Sequence, residues 1–253
     1  MNDSENKKLA FWNQMSEKGE NSGTQDFILQ NLEEKVILEN IGVCKRVLDV
    51  GCGDANLLHL IQSKTAAEAY GVDFSENMIC LAKNRQFAGK ATFVIGDMSQ
   101  ITNLMEPHFD LILSKRSLIN LDTFAQQLSV FNDIISLLQP GGFYFMLENV
   151  KEGLDRLNQF RTILDLHEMK VPWHNRYFSE AEIEVLKSQP RVSFVKSVCF
   201  SSTYYLISRV LHAKISALNN EEPKYDSVLN QLSLAIPSVG ELGAPRLFIF
   251  KKV

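Results

Sequence analysis

Residues 46–60 read RVLDVGCGDANLLHL, and the fold turns on how this stretch is read. RVLDV is a short apolar run of the kind that forms a buried strand, and ANLLHLIQ has the spacing of a helix. Between them lies a turn bracketed by Gly51 and Gly53. A strand that passes through glycines into a helix N-terminus offers its backbone N–H groups to the polar groups of a nucleotide. What surrounds the turn decides which nucleotide.

Working outward, AEAYGVD (67–73), ATFVIGD (91–97), FDLILS (109–114) and FYFMLEN (143–149) read as further strands. SENMICLAKN, with Ser75 as its cap, and TFAQQLSVFNDIISLL read as the intervening helices, and PGG (140–142) as a turn. This alternation predicts an α/β fold with a mostly parallel sheet, helices on both faces and right-handed crossovers. Ligands of such sheets sit beyond the C-terminal strand ends, here residues 51–54, 73–75, 97–98, 114–120 and 148–149.

Upstream, residues to about Gly23 are polar and irregular apart from Phe11 and Trp12. In DFILQNLEEKVILENIG, Phe27, Ile28, Leu32, Val36 and Ile37 then recur at helical spacing. Residues 1–42 are therefore expected to form an N-terminal helical segment, and 43–253 the main domain. Past the fifth strand, residues 154–169 read as a helix, and FSEAEIEVLKS as another with a capping box from Ser179 to Glu182. Residues 191–200 and 246–253 read as two late strands. Helical insertions on the substrate side are expected at about 151–190 and 201–243.

Bulk properties narrow the function classes. The chain has 253 residues, 45% hydrophobic and 22% charged, with a formal net charge of −4. That balance argues against a nucleic-acid substrate, which calls for a basic surface. No run approaches the roughly 20 apolar residues of a membrane span. The polar N-terminus has no signal core, so a cytoplasmic location is expected. The cysteines lack CxxC pairing and the histidines lack metal-ligand spacing, so reduced thiols and no bound metal are expected. Nothing here sets an oligomeric state.

A dinucleotide turn needs GxGxxG, whose last glycine lets helix and strand pack closely. Asn56 holds that sixth position and is too bulky for it. Asp73 ends the second strand 20 residues after Gly53 (73 − 53 = 20), where a carboxylate accepts hydrogen bonds from ribose hydroxyls.

VLDVGCGDANLL, YGVDFSENMI, FVIGDMSQI, FDLILSKRSLINL and QPGGFYFMLE follow one another at successive strand ends. Over about residues 45–150 this series resembles the class I S-adenosylmethionine-dependent methyltransferases. The resemblance implies a Rossmann-like, seven-stranded sheet of order 3-2-1-4-5-7-6, with S-adenosyl-L-methionine as cofactor. It implies that Asp49, Gly51, Cys52 and Gly53 line the methionine part and that Asp73 holds the ribose. Phe74 would flank the adenine, with Asp97 and Met98 at its amino group and edge. Ser114 would lie near the cofactor amine and the transferred methyl. Phe11 and Trp12 would fold over the cofactor or, alternatively, anchor a helix on the domain surface. Ala55 stands where the family often has a third glycine. Plainer readings stay open beside these: Asp49 as a brace of the turn, Asp97 as a helix cap, Cys52 as a small filler.

The acceptor side is read from two segments. WHNRYF (173–178) gathers an indole, an imidazole, an amide, a guanidinium and a phenol, a mixture suited to a polar ligand with a flat face. His174 is a candidate base or substrate ligand there, with Tyr177 beside it; the alternative is a loop anchored to the core. In SKRSLIN (114–120), Arg116 and Lys115 are candidates for a phosphate or carboxylate. The Asn/Asp-Pro-Pro-aromatic motif of amino-methylating DNA enzymes and the double-glutamate loop of arginine methyltransferases are both missing. Tyr204, Ile207, Leu211, Ile215 and Leu218 form one stripe, read as packing, while Tyr205 and Arg209 fall elsewhere on the wheel. Glu148 to Tyr177 is loosely similar to bacterial sugar and surface-polysaccharide methyltransferases. The expectation is methyl transfer to oxygen or nitrogen of a small polar molecule such as a nucleotide-linked sugar. The partner is then a small-molecule acceptor, with no nucleic acid and no membrane. The alternatives are a non-catalytic S-adenosylmethionine-binding scaffold and a nicotinamide-dependent oxidoreductase.

Overall fold

The computed structural model describes residues 3–17 and 25–253. The chain runs α1 (Asp3–Ser16), α2 (Phe27–Asn40), β1 (Arg46–Val50), α3 (Asn56–Thr65), β2 (Glu68–Asp73), α4 (Glu76–Asn84), β3 (Ala91–Ile95), α5 (Ile101–Leu104) and β4 (Phe109–Lys115). It continues through α6 (Phe124–Leu137), β5 (Leu138–Asn149), α7 (Lys151–Ile163), α8 (Glu180–Lys187) and β6 (Val192–Val198). A helical excursion follows, α9 (Ser202–Tyr205), a π-turn over Leu206–Leu211, α10 (His212–Leu218) and α11 (Val228–Leu232), before β7 (Pro245–Lys252) closes the sheet.

The seven strands are ordered β3-β2-β1-β4-β5-β7-β6, as expected. β1 pairs in parallel with both β2 and β4, and β7 lies antiparallel between β5 and β6. The period-2 alternation of β1 serves two layers. Leu48 and Val50 join a core with Phe131, Tyr144 and Phe250, while Val47 joins Leu58, Ile61 and Ile249 on the other face. A strand buried on both faces needs this near-continuous apolar run, and Asp49 is its one polar interruption.

Several elements differ from the sequence reading. The stretch read as irregular before Gly23 contains a 14-residue helix, α1, although residues 1–2 and 18–24 lie outside the described residues. Phe27, placed on the buried stripe of α2, is 49% exposed, and the buried face is Ile28, Leu29, Glu33, Glu34, Val36 and Ile37. PGG is not a separate turn. β5 stays paired with β4 at both ends, so the extra residues bulge out of the ladder and Gly141 takes φ +79°. The helix read over 154–169 spans Lys151–Ile163 instead. Asp165 turns left-handed at φ +54°, and the Asn158 side chain then bonds the Met169 amide and carbonyl, holding that chain extended.

The late helical stripe is corrected too. The π-turn adds a residue to the helical repeat and shifts its phase. Tyr204 and Ile207 of the expected stripe are buried, joined by Tyr205, Val210 and Ala213, whereas Leu211, Ile215 and Leu218 beyond the π-turn's phase shift are exposed, Leu218 at 70%.

Candidate functional site

The turn after β1 is held open by backbone conformation. Gly51 has φ +82°, and its amide and that of Cys52 both donate to the Val72 carbonyl at 2.8 and 3.1 Å. A Cβ on Gly51 would stand 2.4 Å from Ser117 Cβ, whereas one on Gly53 would meet nothing within 4 Å. Ala55 is left-handed as well, at φ +60°, which is why a glycine suits this position in the resembling family. Ala55→Gly should therefore raise the unfolding free energy by about 1 kcal/mol, as measured by denaturant titration. Asn56 does not pack as a third glycine would; its amide donates to Glu34 Oε1 at 2.9 Å, and Arg85 clamps Asp54 at 2.6 Å alongside.

Two carboxylates face this turn. Asp73 accepts from the Gly53 amide and the Ser75 amide, both at 2.9 Å, so it braces the loop from the end of β2. Burial raises its pKa, with the Ser75, Gly53 and Phe74 amides opposing that shift. Asp49 is buried with Oδ1 unpartnered, and burial pushes its pKa up to about 7 against the charge of Lys115. A buried acceptor with no donor is a costly arrangement and marks where a cationic or donor group of a ligand fits. Asp97 caps the 3-10 turn Met98–Gln100 through the Ser99 amide at 2.8 Å. Cys52 is buried and its thiol pKa is pushed well up, chiefly by burial, as suits an inert filler.

One cavity of about 570 Å³ joins these groups to the acceptor candidates. Asp49, Gly51, Cys52, Gly53, Asp73, Phe74, Asp97, Met98 and Trp12 all line it, as do Arg116, His174 and Tyr177. Ser114 does not. It points into the core, where its hydroxyl is shared with the Tyr144 hydroxyl at 2.7 Å, while Lys115 and Ser117 line the cavity.

The roof of the cavity comes from α1, on which Trp12 lines the cavity and Phe11 does not. Trp12 and Leu9 face inward. Lys8 reaches the Asn120 carbonyl and Asp122 at 2.5 Å each, and Asn13 accepts from Ser75 Oγ at 2.7 Å. Phe11 stacks on the His174 ring, centroids 4.4 Å apart, with Trp12 and Trp173 edge-on to it. Within WHNRYF the roles divide. Arg176 is an anchor, ion-paired to Glu182 and bonded to Gln127 at 2.7 Å, and Phe178 is fully buried. His174, Asn175 and Tyr177 turn to the cavity. His174 Nδ1 is buried without a partner, and burial, then Lys8, lowers the ring's pKa. The imidazole is thus neutral near neutral pH and able to accept a proton.

On the opposite wall the candidate Arg116 meets Glu33, which the sequence reading passed over. Arg116 Nε lies 3.3 Å from Glu33 Oε1, and Glu33 is completely buried in α2. Burial raises the Glu33 pKa, and Arg116 and Lys115 oppose that rise. Glu33 sits among Ile28, Val36 and Ile37 on the apolar face, and an acid on such a stripe was the available signal for a buried basic partner. Tyr205 lines the cavity, while Tyr204 and Arg209 are spent on Asp26, the N-cap of α2. Arg209 is thereby a tie between the late insertion and α2.

Comparison with known proteins bears on the family and the fold. Residues 43–175 match the family described as a methyltransferase domain. A demethylmenaquinone methyltransferase of Leptospira interrogans is 29% identical over 130 residues, 49% of this chain and 50% of that protein. The chain thus spans about half the length of that curated relative. Among solved structures, a chain of the complex between the Haloferax volcanii Trm112 methyltransferase activator and a methyltransferase has TM-score 0.66 at 14% identity, covering 95% of this chain and 96% of that one. Magnesium protoporphyrin IX methyltransferase from Synechocystis, with bound SAH, has TM-score 0.55 at 15% identity, covering 90% and 83%. At these identities the likeness is one of fold.

Proposed function

The chain belongs to the class I S-adenosylmethionine-dependent methyltransferases, and we propose that it transfers the methyl group of S-adenosylmethionine to a small polar acceptor held in the same cavity. The observation that carries this reading is the single cavity lined both by the glycine turn with Asp49 and Asp73 and by His174, Tyr177 and Arg116. The turn fits the cofactor on its own terms. Asp49 Oδ1 is a buried acceptor lacking a donor, and the side of Gly53 where a Cβ would stand is open.

In this reading Asp49, Gly51, Cys52 and Gly53 hold the methionine part, Asp73 the ribose, and Phe74, Asp97 and Met98 the adenine, under Trp12. When bound, the cofactor supplies a sulfonium methyl with a good leaving group. The chain's own task is then to align the acceptor and keep water out. α1 and the loop 172–177 close the cavity, and the neutral His174 imidazole takes the proton from the acceptor hydroxyl or amine. Tyr177 and Arg116 position the acceptor. Residues 43–253 form the methyltransferase domain, α1 of the N-terminal segment roofs the cavity, and the insertions at 151–190 and 201–243 shape the acceptor side.

The acceptor is methylated on oxygen or nitrogen. A nucleotide-linked sugar has in its favour the loose likeness of Glu148 to Tyr177, and an aromatic roof suits any flat-faced ring equally. The named relatives act on a menaquinone precursor and a porphyrin, so membership of the family does not select an acceptor. The rival of a non-catalytic scaffold predicts binding without turnover.

Transfer of label from methyl-labelled cofactor into small-molecule pools tests the proposal, with calorimetry against S-adenosylhomocysteine and NAD in parallel. Binding of NAD alone would remove the cofactor assignment, and tight binding without transfer into any pool would favour the scaffold. Asp73→Ala should weaken S-adenosylhomocysteine by about 1–3 kcal/mol through lost charge-assisted hydrogen bonds. Unchanged affinity would mean that the ribose is held elsewhere.

A further inference from the structure

Arg116 follows β4 in a conformation that a non-glycine residue adopts only where its surroundings impose it, φ +53°. Its amide is fixed by the Leu147 carbonyl at 2.8 Å and its carbonyl by the Asn120 amide at 3.1 Å. This kink turns the guanidinium to the cavity wall that Tyr177 and Tyr205 also line. The side chain makes an ion pair with Glu33, yet neither Glu33 oxygen receives a hydrogen bond. Among the described residues, Arg116 donates no side-chain hydrogen bond at all. A half-buried guanidinium whose donors face a cavity unfilled is an unfinished site, because such groups normally find partners.

The two members of the pair are not equivalent towards a ligand. Arg116 lines the cavity and Glu33 does not. Glu33 therefore supplies the counter-charge that permits burial of the arginine, while the arginine presents the charge a ligand meets. Lys115, the neighbouring residue, lines the cavity too and stands 3.8 Å from Glu34, its nearest acid. Of the carboxylates facing the cavity, Asp54 is engaged with Arg85, Asp122 with Lys8, and Asp73 and Asp97 with backbone amides; Asp49, with Oδ1 unpartnered, feels the charge of Lys115 but lies on the side assigned to the cofactor, so Arg116 is the cation left for an acceptor.

We infer that the methyl acceptor carries an anionic group, a carboxylate or a phosphate, which docks on the Arg116 guanidinium with Lys115 adding positive charge. The planar guanidinium fork matches both anions in a bidentate manner, and an enclosed site of low dielectric strengthens the contact. This inference rests on the methyl-transfer reading of the same cavity.

The test uses the full chain saturated with S-adenosylhomocysteine and follows intrinsic fluorescence. The chain has only two tryptophans; Trp12 lines the cavity and Trp173 lies against Phe11 and His174. Inorganic phosphate is titrated in one arm and succinate in the other, at constant ionic strength. A saturable response to at least one anion is expected, and the stronger arm separates phosphate from carboxylate. Arg116→Gln should weaken that response by about ten- to a hundredfold. Glu33→Gln should strengthen it, because the guanidinium loses its competing charge. Should Arg116→Gln fail to fold, the double variant with Glu33→Gln removes both charges together and should show the same loss. Absence of a saturable response in the unaltered chain, or a response unchanged in the Arg116 variants, overturns the inference while leaving cofactor binding intact. Failure of S-adenosylhomocysteine itself to bind overturns the methyl-transfer reading and this inference with it.

Discussion

Gly51→Ala is expected to collapse the turn proposed to hold the cofactor. The new methyl group would meet Ser117 Cβ at 2.4 Å, and the backbone there is left-handed at φ +82°. Ser117 cannot retreat freely, because its amide and that of Leu118 are anchored on Glu148 at 3.1 and 2.9 Å. Left-handed strain of about 1–2 kcal/mol and overpacking of about 1–3 kcal/mol together predict a loss of about 2–5 kcal/mol in stability. Affinity for S-adenosylhomocysteine should fall with it, since the Gly51 and Cys52 amides that pin the turn to Val72 would shift. Gly53→Ala is the informative contrast. Its Cβ meets no protein atom within 4 Å, so stability should drop by only about 1–2 kcal/mol while cofactor affinity still declines. Denaturant titration and calorimetry on both variants separate the two effects. Equal stability losses would mean that the clash with Ser117 is relieved by movement of the loop.

His174→Ala should lower turnover by about 10²–10⁴-fold with cofactor affinity changed little. The ring must be neutral to act as a base, and burial together with Lys8 holds its pKa below the ordinary 6.5. The rate should therefore rise with pH through a value below 6.5 and stay flat above it, and this acid limb should vanish in the alanine variant. An unchanged pH–rate profile in His174→Ala would take the histidine out of the mechanism. A milder loss with the limb retained would assign it to packing against Phe11, at 4.4 Å between centroids.

The cofactor side was legible because its groups lie in contiguous segments at successive strand ends. RVLDVGCG, YGVDF and VIGDM each carry a strand and the polar residue that ends it, and a parallel sheet brings such ends to one edge. Asp49, Asp73 and Asp97 accordingly meet at one cavity. Ser114 shows the limit of this logic. It too ends a strand, but side chains alternate across a sheet, and its hydroxyl was taken by Tyr144 in the core. The acceptor side was harder to read because its partners come from distant parts of the chain.

The strands and helices, the layered core, the glycine turn and its acids follow from the sequence by itself, because hydrophobic period, turn chemistry and strand-end position are local properties; the strand order came through the resemblance to a family. Long-range packing alone decided that Glu33 of α2 meets Arg116 just past β4, that α1 closes over His174, and that Tyr205 rather than Arg209 lines the cavity. Each of those contacts depends on how one element's phase and docking angle meet another's, and neither quantity is written in any single segment.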